Sequence, residues 1–176
     1  MANIIICADG TWNRPEQDIT QDFPTNVLKL ARAIKPSVKN TQQHVFYDWG
    51  LGSYHNNIIA GATGRGIHKN ILDCYRYIVQ NYSPNDKIYL FGFSRGAAMA
   101  RQFASRYVSK IISDQDHPVK FMGVFDTVAA IGIPNLDNNE LSVSDVVFED
   151  RKVSSTVVKA LHLVSLDEKR KAFLPT

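Results

Sequence analysis

Gly92-Phe93-Ser94-Arg95-Gly96 directly follows the apolar run Ile88-Tyr89-Leu90-Phe91. G-x-S-x-G between a short strand and a helix is the spelling of a nucleophile elbow. A serine hydroxyl is a weak nucleophile, so it must stand on a sharp turn where a base and a substrate can both reach it. Glycines two residues to either side leave room for that turn and for the helix packed behind it. The start of the helix then aims backbone N–H groups at the negative charge that develops on an attacked carbonyl. The plainer alternative is a helix-capping serine in a Gly-rich turn, so the surroundings of the motif must decide.

Those surroundings fit. Asn81-Tyr82-Ser83-Pro84-Asn85-Asp86 reads as a turn, and Lys87 to Phe91 as a buried strand. Behind Ser94, Ala97, Ala100, Ala104, Tyr107 or Val108, and Ile111 recur at helical spacing. Upstream, Asn3 to Ala8 reads as a strand ending in the loop Asp9-Gly10-Thr11-Trp12-Asn13. Thr25 or Asn26 caps a helix carrying Val27, Leu30, Ala31 and Ile34 on one face. His44 to Asp48 is a second strand. A Gly-rich connection from Gly50 to Gly66 leads into a helix with Ile67, Ile71, Tyr75, Ile78 and Tyr82. Val119 to Phe125 is a fourth strand, ending in Asp126-Thr127.

Strands alternating with helices imply an α/β fold, a parallel sheet with right-handed crossovers and ligands at the carboxyl ends of the strands. Ser94, Asp126 and the Asp9 loop all fall at such ends. Beyond Pro134 the pattern is weaker. Ser154-Ser155-Thr156 is expected to cap a short helix through Leu161, and Val164 to Leu166 to form a further strand.

Composition bounds the rest. The 176 residues are 44% hydrophobic, enough for one globular domain with a real core. A net charge of +3 from scattered basic residues gives no argument for a nucleic-acid partner, and none is expected. Cys7 and Cys74 lie in apolar segments without metal spacing and read as reduced core residues. Neither a signal peptide nor a stretch of transmembrane length is present, so a cytoplasmic protein as synthesised is expected, with export by a signal-independent route left open.

Together, ADGTWN (8–13), TNVLKLARAI (25–34), YDWGLG (47–52), IYLFGFSRGAAMAR (88–101), GVFDTVAAIGIP (123–134) and ALHLVSLDEKRKAFLPT (160–176) resemble one family. It is the α/β-hydrolase domain of bacterial type VI secretion phospholipase effectors and their many uncharacterised relatives. The resemblance implies a three-layer α/β-hydrolase-like sandwich over residues 1–176 and a serine esterase acting on lipids, with no cofactor and no metal. A lipid or other ester is then the partner, and a membrane surface enters only as substrate.

Carried over by position, Ser94 is the nucleophile and Asp126 the acid that orients a catalytic histidine. Asp126 also has a bland reading as a turn or capping aspartate. The Asp9-Gly10-Thr11 loop would complete the oxyanion hole, a backbone N–H of Gly10 or Thr11 pairing with that of Arg95. The Arg95 side chain would meet an acidic head group, face solvent or form a structural salt bridge. Asp167-Glu168-Lys169-Arg170 matches a family signature read as a structural charged network.

The resemblance departs at one point. Family members continue past the position of Pro175-Thr176 into a segment with His-Ser-Asp and a run of glycines, which holds the catalytic histidine. The expectation is therefore a fold incomplete on its C-terminal side. An open sheet edge would then attract a second copy or a partner strand, and turnover should be negligible for the chain as it stands. Of His44, His55, His68, His117 and His162, only His162 follows Asp126 in the hydrolase order Ser, Asp, His. It is the candidate base, although a hydrogen-bonded structural role fits its position better.

Two rival readings remain. Ile4-Ile5-Ile6-Cys7-Ala8-Asp9-Gly10-Thr11 suggests an aspartate-dependent phosphotransferase, but that chemistry needs an aspartate where Cys7 stands. A hydrolase fold retained for binding or assembly is the second. Gly61-Ala62-Thr63-Gly64-Arg65-Gly66 has the wrong glycine spacing for a dinucleotide loop.

Overall fold

The computed structural model describes residues 1–11, 13, 15, 23–50, 65–128 and 152–167. Six strands form one sheet: β1 Ala2–Ala8, β2 Ser37–Val38, β3 Thr41–Asp48, β4 Lys87–Phe93, β5 Val119–Phe125 and β6 Ala160–Leu163, in the order β2-β3-β1-β4-β5-β6. Every pairing is parallel except that of β2 with β3. From β1 the chain moves outward to β3, then returns past β1 to β4. The sheet therefore has its switch point between β1 and β4, where Ala8 pairs with Gly92. A crevice opens at such a point beyond the carboxyl ends of the strands. Ser94 and Asp9 follow those two ends.

The unbroken apolar spelling of β1 is what a strand covered on both faces requires. On one face Ile4, Ile6, Ile88, Leu90, Met122 and Val124 form the main core with α2 (Arg65–Asn81) and α3 (Arg95–Phe103). On the other, Ile5 and Cys7 meet Val27 of α1 (Asn26–Ala33). Thr25 caps α1, its hydroxyl accepting from the Leu28 N–H at 3.0 Å. Gly96 lets α3 lie close against the end of β1; a Cβ there would stand 2.3 Å from the Ala8 carbonyl oxygen and 2.4 Å from that of Asp9.

Both cysteines are buried and free. Burial, with the Asp9 charge added, pushes the Cys7 thiol up to about 12. Burial, then Asp48 and Asp73, also raises Cys74. The thiolate is the reactive form. Neither cysteine should react with an aromatic disulfide reagent in the native protein, and both should react at once in denaturant. Prompt native labelling would contradict this packing.

The path of α3 continues through a π-helical stretch, Ala104–Val108, into a last turn, Ser109–Ile111. The Ala104 carbonyl within that stretch accepts from Thr156 Oγ1 at 3.0 Å and Ser154 Oγ at 3.5 Å. These bonds correct the expected helix after Ser154. The hydroxyls fasten the segment to the π-helical stretch instead of capping a new helix, and Ser155-Thr156 form a turn. The strand expected at Val164 to Leu166 lies earlier, at Ala160–Leu163, paired with Met122 to Phe125. Among the described residues β6 has no outer neighbour, and Leu161 and Leu163 are 47% and 50% exposed. No described helix is long and apolar enough to cross a membrane.

Candidate functional site

Ser94 stands between β4 and α3 with φ 54° and ψ −121°. A side-chain-bearing residue rarely occupies this region, and it persists only where neighbours hold it. Here they do. The Ser94 N–H donates to the Phe125 carbonyl at 2.9 Å. The Ser94 carbonyl accepts from Ala97, Ala98 and Val128 N–H groups at 3.1, 3.3 and 3.2 Å. The hydroxyl makes no capping bond to α3, which sets aside the capping-serine alternative. Ser94 remains partly open to solvent.

Arg95 opens α3, and its side chain is buried at 9% exposure, so it does not face solvent. Burial lowers its guanidinium to about 10.

The loop after β1 stays at the same end of the sheet as Ser94. The buried Asp9 carboxylate accepts three bonds: from the Gly10 N–H at 2.8 Å, the Thr25 hydroxyl at 2.6 Å and the Tyr47 hydroxyl at 2.6 Å. Burial, followed by the bond to Asp9, raises the Tyr47 phenol well above its usual range. The Gly10 carbonyl accepts from the Asn13 N–H at 3.0 Å. Gly10 is therefore removed from the expected oxyanion donors, because its N–H is taken by Asp9. Thr11 remains. Its hydroxyl oxygen is buried and has no hydrogen-bond partner among the described residues.

Asp126 follows β5 with φ 44°. Its N–H donates to the Leu163 carbonyl at 2.9 Å, and its Oδ1 accepts from the Ser165 N–H. The carboxylate thus ties β5 to the chain beyond β6. His162 Nε2 accepts from the Thr127 N–H at 3.1 Å. That bond uses the lone pair a general base would need, and it fixes the ring as the neutral form protonated at Nδ1. Asp126 and His162 sit on neighbouring segments, but His162 acts as a clamp between β5 and β6. Among the described residues no imidazole bonds Ser94 Oγ.

Burial, then the charge of Arg101, lowers the His162 pKa against an opposing pull from Asp126. As pH falls, the unfolded chain is the first to take up this proton. The stabilisation His162 supplies is therefore complete above the unfolded value of ~6.5 and lost as pH falls through the lower folded value. His162→Gln should flatten the loss of urea resistance between about pH 8 and about pH 5. An unchanged slope would deny the clamp.

The other histidines lie elsewhere. His44 pairs with Ile4 within β3, and His117 Nδ1 contacts the Ser155 carbonyl at 2.6 Å, before β5. His68 falls in α2, while His55, the Gly61–Gly66 run and Trp12 lie outside the described residues. Glu168 and Arg170 of the charged signature do as well. Sequence reasoning passed over Asp48, at the carboxyl end of β3. Burial raises its carboxyl to about 6, with Lys69 pulling the other way. No three His, Cys, Asp or Glu side chains gather as a metal site among the described residues.

The family model for the type VI secretion phospholipase effector Tle1-like catalytic domain matches residues 2–111 and 105–176. The chain belongs to this family. An uncharacterised yeast protein, YEL023C of Saccharomyces cerevisiae, is 26% identical over 230 aligned residues, covering 97% of this chain and 32% of its own length. The Tle1 effector bound to the VgrG spike of a type VI secretion system superposes with a TM-score of 0.53 at 25% identity. That match covers 92% of this chain and 44% of the effector. An uncharacterised Pseudomonas aeruginosa protein shares the fold, with a TM-score of 0.57, 22% identity and 98% of this chain covered. The chain spans 37% of that protein, so it covers less than half the length of each of these relatives.

Proposed function

We propose that the chain is a serine ester hydrolase of the lipase and phospholipase kind, acylated at Ser94. One observation carries the reading: Ser94 is held at φ 54° between β4 and α3, at the switch point of the sheet. Membership of a phospholipase effector family supports a lipid ester as substrate.

In this reading Ser94 Oγ attacks the ester carbonyl as its proton passes to an imidazole. The carbonyl oxygen becomes an oxyanion facing the N–H groups of Arg95 and Thr11. The intermediate collapses, the alcohol leaves with the proton, and water repeats the sequence to free the acid. In the same reading Asp126 orients the imidazole, and His162, tied to Thr127, is not the base. The bond that ties His162 to Thr127 gives weight to a second reading, a hydrolase fold kept for binding.

Free imidazole separates the two. Short-chain aryl esters and phospholipid vesicles should be hydrolysed slowly by the chain alone and faster with imidazole, and His162→Gln should retain that acceleration. Equal rates with and without protein, imidazole present, would favour the binding module.

A further inference from the structure

Asp9 has every mark of a group that acts through another. It is 2% exposed, and three donors hold its carboxylate, so it has no access to a substrate. Its donors come from three different elements: its own loop, the cap of α1 and the end of β3. The backbone around it is gripped as well. Gly50, at φ 71°, lies so close that a Cβ would stand 1.8 Å from the Gly10 carbonyl oxygen. On the other side Gly96 presses against the Asp9 carbonyl. The Asp9 N–H donates to the Asp48 carbonyl at 2.9 Å.

We infer that Asp9 is the positioning residue of this site, holding Gly10 and Thr11 in the shape that presents Thr11 to Ser94. The inference rests on the reading of Ser94 as nucleophile and deepens it. Elimination supports Thr11. The Gly10 N–H is bound by Asp9 and the Gly10 carbonyl by Asn13, whereas the buried Thr11 hydroxyl is unpartnered among the described residues. A buried hydroxyl without a partner is costly unless another group completes it. An oxyanion formed at Ser94 is a group of that kind. Asp9 fixes the donor without touching the reacting atoms.

The test is phosphonylation of Ser94 by a fluorophosphonate with free imidazole present, read as separate inhibitor binding and inactivation constants. Asp9→Asn keeps the size of the side chain, and Tyr47→Phe removes a single donor. Displacing a donor by about 1 Å costs ~10²-fold in rate. Asp9→Asn should therefore lower the inactivation constant ~10²-fold while inhibitor binding changes less than ~2-fold. Tyr47→Phe should lower it in the natural background and add nothing in the Asp9→Asn background, because both act through one carboxylate. Val119→Ala, a core change at the amino end of β5, should reduce stability and leave the inactivation constant unchanged.

An inactivation constant untouched by Asp9→Asn, or lowered equally by Val119→Ala, would overturn the inference. Should wild type take no label, the nucleophile reading fails, and amide exchange then decides the positioning role separately. Faster exchange of Gly10, Thr11 and Asn13 in both Asp9→Asn and Tyr47→Phe supports it; unchanged exchange overturns it.

Discussion

Replacing Ser94 by alanine should bring imidazole-assisted ester hydrolysis down to the rate in protein-free solution. Loss of a nucleophile that acts as a unit with its base removes ~10⁴–10⁶ of turnover from an assembled serine hydrolase. The folded structure should survive. Ser94 holds its place through backbone bonds to Phe125, Ala97, Ala98 and Val128, and its hydroxyl caps nothing. Alanine at φ 54° carries the same Cβ strain as serine, so the melting temperature should move by only a few degrees. Assay and melting curve on one preparation separate chemistry from folding. Retained imidazole-assisted turnover in Ser94→Ala would place the chemistry elsewhere.

Gly96→Val should give the largest loss of stability. The added Cβ would meet the Ala8 and Asp9 carbonyl oxygens at 2.3 and 2.4 Å, and backbone atoms in a central strand cannot swing aside. The helix must retreat from β1, which opens the core between α3 and the sheet and pulls the turn at Ser94 with it. Overpacking of this kind costs ~3 kcal/mol or more. At this chain length that corresponds to a melting temperature lower by roughly 10 °C. Gly123→Ala is the control, since its Cβ would meet only ring atoms of Phe121 and Phe91 at 3.0 Å. Rings can give, so the cost there should stay near ~1 kcal/mol. Urea unfolding of both variants checks the contrast. Equal losses would mean that the approach of α3 to β1 is not what Gly96 provides.

How much of this was legible beforehand depended on whether the deciding contact was local. A cap at Thr25 or Asn26, β1, β4, β5 and the turn at Ser94 follow from spacing, because each is specified within a few residues. The π-helical stretch left a trace in the ambiguity between Tyr107 and Val108: one extra residue in the turn carries Val108 into the core. The segment from Ser154 misled because its hydroxyls bond the Ala104 carbonyl, fifty residues earlier, and a short apolar run cannot by itself separate strand from helix. His162 has the right place in chain order, yet its role is set by the Thr127 N–H that meets it in space. Gly10 leaves the donor set for a smaller reason: the aspartate before it accepts its N–H. The hub at Asp9 draws on Thr25 and Tyr47, which are far apart in sequence and become partners only when α1 and β3 flank β1.

The central claim is that Ser94 is a nucleophile, and one measurement addresses it most directly. The chain is treated with a fluorophosphonate, with and without free imidazole, then digested, and the modified peptide is located by mass spectrometry. A single adduct on Ser94, formed faster with imidazole, is the predicted result. No adduct in either condition, or an adduct on another side chain with Ser94 unmodified, would contradict it.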